Sequence, residues 1–232
     1  GEVHFSNNIV QAAGTIGVRT FYQTAGSATA LICKVWNNIF YGTTNIDFGI
    51  YLSNWAFSTG YDYIYNNTIY NCAYGIYSHV PAGMTIAKNN ICYNNTTADY
   101  FETFSSSSTN NLSKDATAPA YGTYYPSATV AFVNTTAGSE DLHLALTDGT
   151  AKGRGADLRA DANLAFNTDI DGHARGVTWS IGADNGGGNS GGGTDVYYSV
   201  GQNTTDHKTG TPTMTIADGL ATFSVAQIAT NL

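Results

Sequence analysis

Five times in its first half the chain writes two asparagines and then an aliphatic residue: "SNNIV" at 6–10, "WNNIF" at 36–40, "YNNTI" at 65–69, "KNNIC" at 88–92 and "TNNLS" at 109–113. The second asparagines, Asn8, Asn38, Asn67, Asn90 and Asn111, are separated by 30, 29, 23 and 21 residues. A period of that size marks a solenoid, in which one repeat buries its apolar face only by stacking on the next. A second register lies about ten residues further on, at Val18, Ile50, Ile76 and Phe101, twice as Gly-Ile-Tyr. A third precedes each pair in "LICKVW", "YDYIY" and "MTIAK", where apolar residues alternate at the period of a strand. Three short strands per repeat and no helical periodicity predict an all-β chain, a parallel β-helix with coils of about 21–30 residues.

The asparagine pairs have a physical use in such a fold. Between two strands the backbone bends sharply, and one residue takes the left-handed conformation that Asn and Gly tolerate best. When the bend recurs, the amides of Asn8, Asn38, Asn67, Asn90 and Asn111 are expected to hydrogen-bond along the axis as a ladder. The aliphatic residue after each pair is expected to point inward.

The stretches "NNIF", "NNTIYNCAYGIYS" and "NNICYNN" resemble right-handed parallel β-helix proteins of the pectate-lyase-like superfamily. Residues 140–185 resemble the closing segment of secreted bacterial members. There a "DLHL"-like strand (Asp141–Leu144) precedes a "DIDGxxR" turn (Asp169–Arg175) and a final "IGA" strand (Ile181–Ala183). The resemblance implies that coils occupy 1–115, that 116–184 caps their open end, and that the protein is secreted or on a cell surface. It leaves activity open, because this fold hosts lyases, hydrolases and passive adhesins.

"NGGGNSGGG" at 185–193 reads as a flexible linker spanning about 185–194. Residues 195–232 alternate strand-like runs (Val196–Val200, Thr213–Ile216, Ala221–Val225), with a hairpin signal in "ADG" at 217–219. This tail reads as a partial β module cut from a larger protein. An unpaired strand of it could complete the sheet of a neighbouring subunit by strand addition.

Composition narrows the function. Net charge is −8 and only 11% of residues are charged, so no basic stripe exists to bind nucleic acid. No apolar run is long enough to insert into a membrane as a helix. Cys33, Cys72 and Cys92 fit no zinc spacing and read as buried thiols in preference to a disulfide.

For catalysis, the polygalacturonase motif set is absent apart from an isolated "NTD" at 167–169. Asp62, His79 and Lys88 fall on neighbouring coils and are the candidates if a lyase or hydrolase site exists; the competing reading makes them ordinary surface polar residues. Tyr61, Tyr63, Tyr65 and Tyr77 form a candidate carbohydrate-stacking face, since a tyrosine buries an apolar ring while its hydroxyl stays wet. Cross-strand aromatic packing is the alternative. Asn167, Asp169 and Asp171 followed by Gly172 resemble the first half of a calcium loop, but Thr178 stands where its bidentate Glu belongs. The other reading is a turn whose carboxylates accept backbone N–H groups, with Arg175 as counter-ion. No further cofactor is implied. The leading expectation is a non-enzymatic structural or adhesive segment of an extracellular protein or filament touching polysaccharide, with a polysaccharide lyase or glycoside hydrolase as the rival.

Overall fold

The structure, a computed structural model, describes residues 1–12, 19–24, 32–42, 48–53, 60–186, 214–217 and 220–223, with backbone alone for 19–24 and the last two stretches. The chain divides into a unit of residues 1–191 and a second of 192–232.

Each of the first four repeats contributes three strands. They are β1 (Glu2–Ser6), β2 (Ile9–Ala12) and β3 (Arg19–Thr24); β4 (Ile32–Trp36), β5 (Ile39–Gly42) and β6 (Phe48–Ser53); β7 (Asp62–Tyr65), β8 (Thr68–Tyr70) and β9 (Tyr74–Ser78); and β10 (Thr85–Lys88), β11 (Ile91–Tyr93) and β12 (Ala98–Phe101). Then come β13 (Asn111–Ser113), β14 (Tyr124–Tyr125), β15 (Phe132–Asn134) and β16 (Asp141–Leu144). Through β12 every third strand pairs in parallel, and β13 and β14 then extend one sheet, giving sheet A in the order β1-β4-β7-β10, sheet B in the order β2-β5-β8-β11-β13-β14 and sheet C in the order β3-β6-β9-β12. The described chain is all-β, mostly parallel, and contains no helix.

The asparagine pairs divide their labour. The first member, Asn7, Asn37, Asn66, Asn89 or Asn110, takes the left-handed conformation with φ between 50° and 57°. The second member forms the ladder. Asn8, Asn38, Asn67 and Asn90 each donate both backbone N–H and side-chain Nδ2–H to the Oδ1 of the next asparagine, ending at Asn111, at 3.0–3.1 Å. Asn38, Asn67, Asn90 and Asn111 are fully buried, and a buried amide persists only where its polar atoms are satisfied. A second corner, between sheets B and C, uses Asn71 and Asn94 with φ of 54° and 62°.

Between the three sheets lies an apolar interior that includes Val35, Phe40, Ile50, Leu52, Ile64, Ile69, Ile76 and Cys92. Where the aliphatic residue follows the pair directly, as Ile39, Ile91 and Leu112 do, it does not join this interior, whereas Ile69, one place further on after Thr68, does. Because side chains alternate along a strand and the ladder asparagine already faces inward, Ile39, Ile91 and Leu112 face outward and Phe40, Ile69 and Cys92 face in. All three cysteines are free and buried. In the second register Ile50 pairs with Ile76 and Ile76 with Tyr100, whereas Phe101 falls opposite Tyr77; Val18 lies outside the described residues.

What lies on the outward apolar columns is the rest of the first unit. Val130, Leu144, Ala151 and Ile181 pack on Ile91 and Leu112 of sheet B, and Leu142 and Ala183 on Ile39. Leu158, Leu164, Phe166 and Trp179 pack on Trp36, Tyr63, Tyr65 and Ile86 of sheet A. The segment is fastened to the corner itself. The left-handed asparagines Asn7, Asn37, Asn66, Asn89 and Asn110 donate through Nδ2 to the carbonyls of Asp169, Thr168, Gly182, Ala156 and Arg154, at 2.7–2.9 Å. The region expected to close the end of the stack thus runs along its side, over sheets A and B. Within it, the expected strand at Asp141–Leu144 forms and pairs antiparallel with β15. Ile181–Ala183 is a bend in place of the expected strand. Gly182, at φ 97°, lets the backbone approach so closely that a Cβ there would meet Ile91 Cδ1 at 2.6 Å.

In the second unit, β17 (Met214–Ala217) and β18 (Leu220–Phe223) form the antiparallel hairpin that "ADG" signals, with Ala217 opposite Leu220. Most of the linker and the strand expected at Val196–Val200 lie outside the described residues.

Candidate functional site

Sheet C has its own outward column. Gly49 and Gly75 sit where backbones close in, a Cβ on Gly75 falling 2.3 Å from the Asp99 carbonyl oxygen. The aromatic residues of the same strands face outward and are partly exposed: Phe48 and Tyr51 on β6, Tyr74 and Tyr77 on β9, Phe101 on β12. Register places Phe48 opposite Tyr74, Tyr51 opposite Tyr77 and Tyr77 opposite Phe101. Ring centroids lie 5.2 Å apart for Phe48–Tyr74, 4.8 Å for Tyr51–Tyr77 and 4.9 Å for Tyr77–Phe101, the first pair stacked and the others edge-to-face. His79 adjoins at 5.3 Å from Tyr77, with its Nδ1 3.9 Å from Glu102 Oε1. Among the described residues this is a continuous aromatic surface five side chains wide, with a charged edge.

The predicted tyrosine face divides. Tyr77 belongs to the sheet C surface. Tyr61 is exposed, and Tyr63 is partly buried and donates its hydroxyl to Asn163 Oδ1 at 3.2 Å. Tyr65 is fully buried beneath Trp179, Leu158 and Leu164 and cannot stack on a sugar. Its alternation with Tyr63 on one face is as expected; the overlying segment is what removes it from solvent.

Asp62, His79 and Lys88 are not brought together. Asp62 faces the interior, 3% exposed, and accepts the Cys33 N–H at 2.8 Å; burial pushes its carboxyl up to about 7. Lys88 is on the opposite face of sheet A, in register with Tyr65, with its Nζ 2.7 Å from Asp161 Oδ2 and 5.2 Å from the Tyr65 ring centroid. His79 is beside sheet C. Asp62 is not a surface residue either, and nor is Asp99, whose carboxylate accepts the N–H groups of Lys114 and Asp115 at 2.7 and 3.1 Å.

At the "NTDIDG" stretch, Asp169 Oδ1 accepts the N–H groups of Asp171 and His173 at 3.1 and 2.9 Å, the carboxylate-closed turn. Asn167 contributes its backbone carbonyl to Arg175 N–H at 2.7 Å. Arg175 is buried, and its guanidinium donates to the carbonyls of Thr168, Gly182 and Ala183 and to Asn37 Oδ1, at 2.6–3.1 Å. Burial lowers its pKa to about 10, opposed by Asp169 and Asp184, so it stays charged at neutral pH. Among the acidic, histidine and cysteine side chains of the described residues, Asp169, Asp171 and His173 converge, with ligand atoms within 4.8 Å of one another.

Sequence reasoning missed His143 and the cleft beside it. That cleft, about 220 Å³, is lined by Ile9, Ile39, Tyr41, Glu140, Asp141, Leu142 and His143. Burial alone would lower the pKa of His143, but Asp141, Asp171 and Asp184 outweigh it and hold the ring above the ordinary histidine value. The sheet C surface was half readable: the twin Gly-Ile-Tyr phrases put Tyr51 and Tyr77 at equivalent places, while Phe48, Tyr74 and Phe101 needed the register.

Comparisons with protein-family models, with curated proteins and with solved structures return no match for this chain.

Proposed function

We propose that the first unit is a right-handed parallel β-helix of the pectate-lyase-like kind, belonging to a secreted or cell-surface protein, and that it serves as a non-enzymatic structural or adhesive segment contacting polysaccharide through the outer face of sheet C. The fold reading is supported by three parallel sheets built from successive strands and by the buried asparagine ladder. One observation carries the function. Residues 128–184 consume the outward tyrosines of sheets A and B in packing, as in Tyr63, Tyr65, Tyr70 and Tyr93, but Tyr74, Tyr77 and Phe101 of sheet C belong to none of those apolar clusters. Aromatic rings held at the spacing of neighbouring strands, on a surface poor in charge, present apolar faces for sugar rings with hydroxyls at the rim. The scattered positions of Asp62, His79 and Lys88 give the enzyme reading no support.

The test is a glycan array with the purified chain, followed by affinity electrophoresis in the polysaccharides that bind and product analysis for new reducing or unsaturated ends. Binding without cleavage, reduced tenfold or more in Tyr51→Ala/Tyr77→Ala but unchanged in Tyr61→Ala, is expected. Binding indifferent to Tyr51 and Tyr77, or cleavage of the polysaccharide, would refute the proposal.

A further inference from the structure

The outer face of sheet C differs from the other two in its charge. Among the described residues, the cations held over aromatic rings all lie elsewhere: Lys34 and Lys88 over Tyr63 and Tyr65 of sheet A, Lys114 and Arg154 over Tyr93 and Tyr125 of sheet B, and Arg175 over Trp179. The strands of sheet C, RTFYQT, FGIYLS, YGIYS and ADYF, hold one cationic residue, Arg19, and one acidic residue, Asp99, which is buried. Backbone register continues the column of Phe101, Tyr77 and Tyr51 onto Tyr22, so four successive strands place an uncharged aromatic residue at one position.

Charge enters at the end of that column, from Glu102. It follows Phe101 directly and its side chain is 43% exposed. Its φ is 73°, whereas the other non-glycine residues with positive φ from Asn7 to Asn110 are all asparagine. A glutamate is seldom kept in this left-handed conformation. Its Oε1 lies 3.9 Å from His79 Nδ1, whose ring adjoins that of Tyr77 at 5.3 Å. Its field reaches the column: burial first, then Tyr51 and Glu102, raise the pKa of the Tyr77 hydroxyl.

A polyuronate carries a carboxylate on every sugar. Laid along the column, it sets those carboxylates against phenol and phenyl rings with no cation to replace the water they lose, and one of them against Glu102. Arg19, opposite Phe48 in register, does not compensate. It stands three strand spacings from β12, about 14 Å, beyond the screening length of roughly 8 Å at physiological ionic strength. A neutral sugar instead puts C–H groups on the rings and leaves hydroxyls at the rim, where a carboxylate accepts from them. We propose, resting on the carbohydrate reading, that the ligand of sheet C is a neutral polysaccharide and that Glu102 turns acidic ones away.

The experiment uses the full chain and a panel of β-glucan, mannan, galactan, polygalacturonate and alginate. Each is paired with its twin, the neutral ones oxidised at the primary hydroxyl to the uronate and the acidic ones carboxyl-reduced. Affinity electrophoresis gives the dissociation constants. Where a pair binds, the neutral member is expected to bind about tenfold tighter or more, and nearly equally in about 0.05 and 0.5 M NaCl. Glu102→Gln keeps the side-chain length and removes the charge. It is expected to raise acidic relative to neutral affinity about two- to fivefold, the effect of one like-charge contact at an exposed edge. An unmoved ratio would overturn the role given to Glu102. An acidic member that binds as tightly as its neutral twin, or neutral binding lost in high salt, would overturn the neutral assignment and leave the carbohydrate reading standing; no binding by any member of the panel would overturn both.

Discussion

Truncating Asn67 to alanine is expected to cost far more than truncating Asn8, although both are second members of an asparagine pair. Asn67 is fully buried. Its Oδ1 accepts from Asn38 N and Nδ2 at 3.1 and 3.0 Å, and its Nδ2 donates to Val35 O, Tyr65 O and Asn90 Oδ1 at 2.9–3.1 Å. Asn67→Ala leaves the Asn38 N–H buried without that acceptor, about 1–3 kcal/mol by itself. Asn38 Nδ2 keeps the carbonyls of Phe5 and Trp36, so the loss of the other contacts adds roughly 1 kcal/mol for each group left without a substitute. Asn90 Oδ1 keeps the backbone N–H of residue 67 and Tyr65 O that of Asn37, so the total is about 2–4 kcal/mol, a large part of the ~5–15 kcal/mol that holds a typical domain folded. Asn8 is only partly buried and donates to Asn38 Oδ1 and Ser6 O, with no donor among the described residues reaching its own Oδ1. Its truncation strands nothing and is expected to cost about 1 kcal/mol. Urea unfolding of the two variants, followed by near-ultraviolet circular dichroism of the tyrosines, gives both values. Equal losses, or a loss below about 1 kcal/mol for Asn67→Ala, would refute the view that mutual satisfaction of buried amides holds the corner together.

Two further outcomes follow from buried charge. Arg175→Met leaves the carbonyls of Thr168, Gly182 and Ala183 with the donors of Asn37, Asn66 and Ile170 but takes the guanidinium from buried Asn37 Oδ1, and should cost about 1–3 kcal/mol; limited trypsin digestion should then cut first between residues 150 and 184, and an unchanged digestion pattern would show that the guanidinium is not the clasp. Asp62 has its pKa raised to about 7 by burial, so the folded state binds the extra proton between the ordinary aspartate range and about pH 7. Its favourable contribution is therefore complete in acid and lost as pH rises through about 7, with a ceiling of roughly 4 kcal/mol. Asp62→Asn keeps an oxygen for the Cys33 N–H and is expected to raise the melting temperature at pH 8 relative to wild type but not at pH 4; a pH-independent difference would exclude ionisation of Asp62 as the cause.

The parallel sheets and the ladder were legible because both rest on local chemistry repeated at a readable period. A left-handed corner requires Asn or Gly, and alternation on either side defines strands. Which member of the pair turns and which one stacks was legible only for the stack. The outward fate of Ile39, Ile91 and Leu112 was not, because it depends on Leu142, Leu144 and Ile181, contributed by chain far downstream. The same distance hides the Asn37–Arg175 bond, across 138 residues. Asp62 was misread as a surface residue for a related reason: a carboxylate in a polar-looking strand carries no sequence mark of facing inward, and only the register with Thr85, itself buried, reveals it. The ion pair of His143 with Asp171 was not legible because the two residues belong to different segments of the chain.

The covering segment and the glycines of sheet C bear on the carbohydrate proposal from opposite sides. Residues 154–183, bonded to the corner asparagine of all five repeats, resist any change in the rise from one strand to the next. Gly49 and Gly75 let the backbones of sheet C close to contact, a Cβ on Gly49 meeting the Gly75 carbonyl oxygen at 2.6 Å. With the rise fixed from outside and the spacing from within, Tyr51, Tyr77 and Phe101 have little freedom beyond their own side-chain torsions, and edge-to-face contacts take up part of that. A surface so held loses little conformational entropy when a chain of sugars lies along it, and weak stacking per ring can then sum along the column. The same rigidity separates the two roles of tyrosine in this chain. Under the segment the rings are packing material, and on sheet C, in the reading proposed here, they are a template whose period is the strand spacing itself.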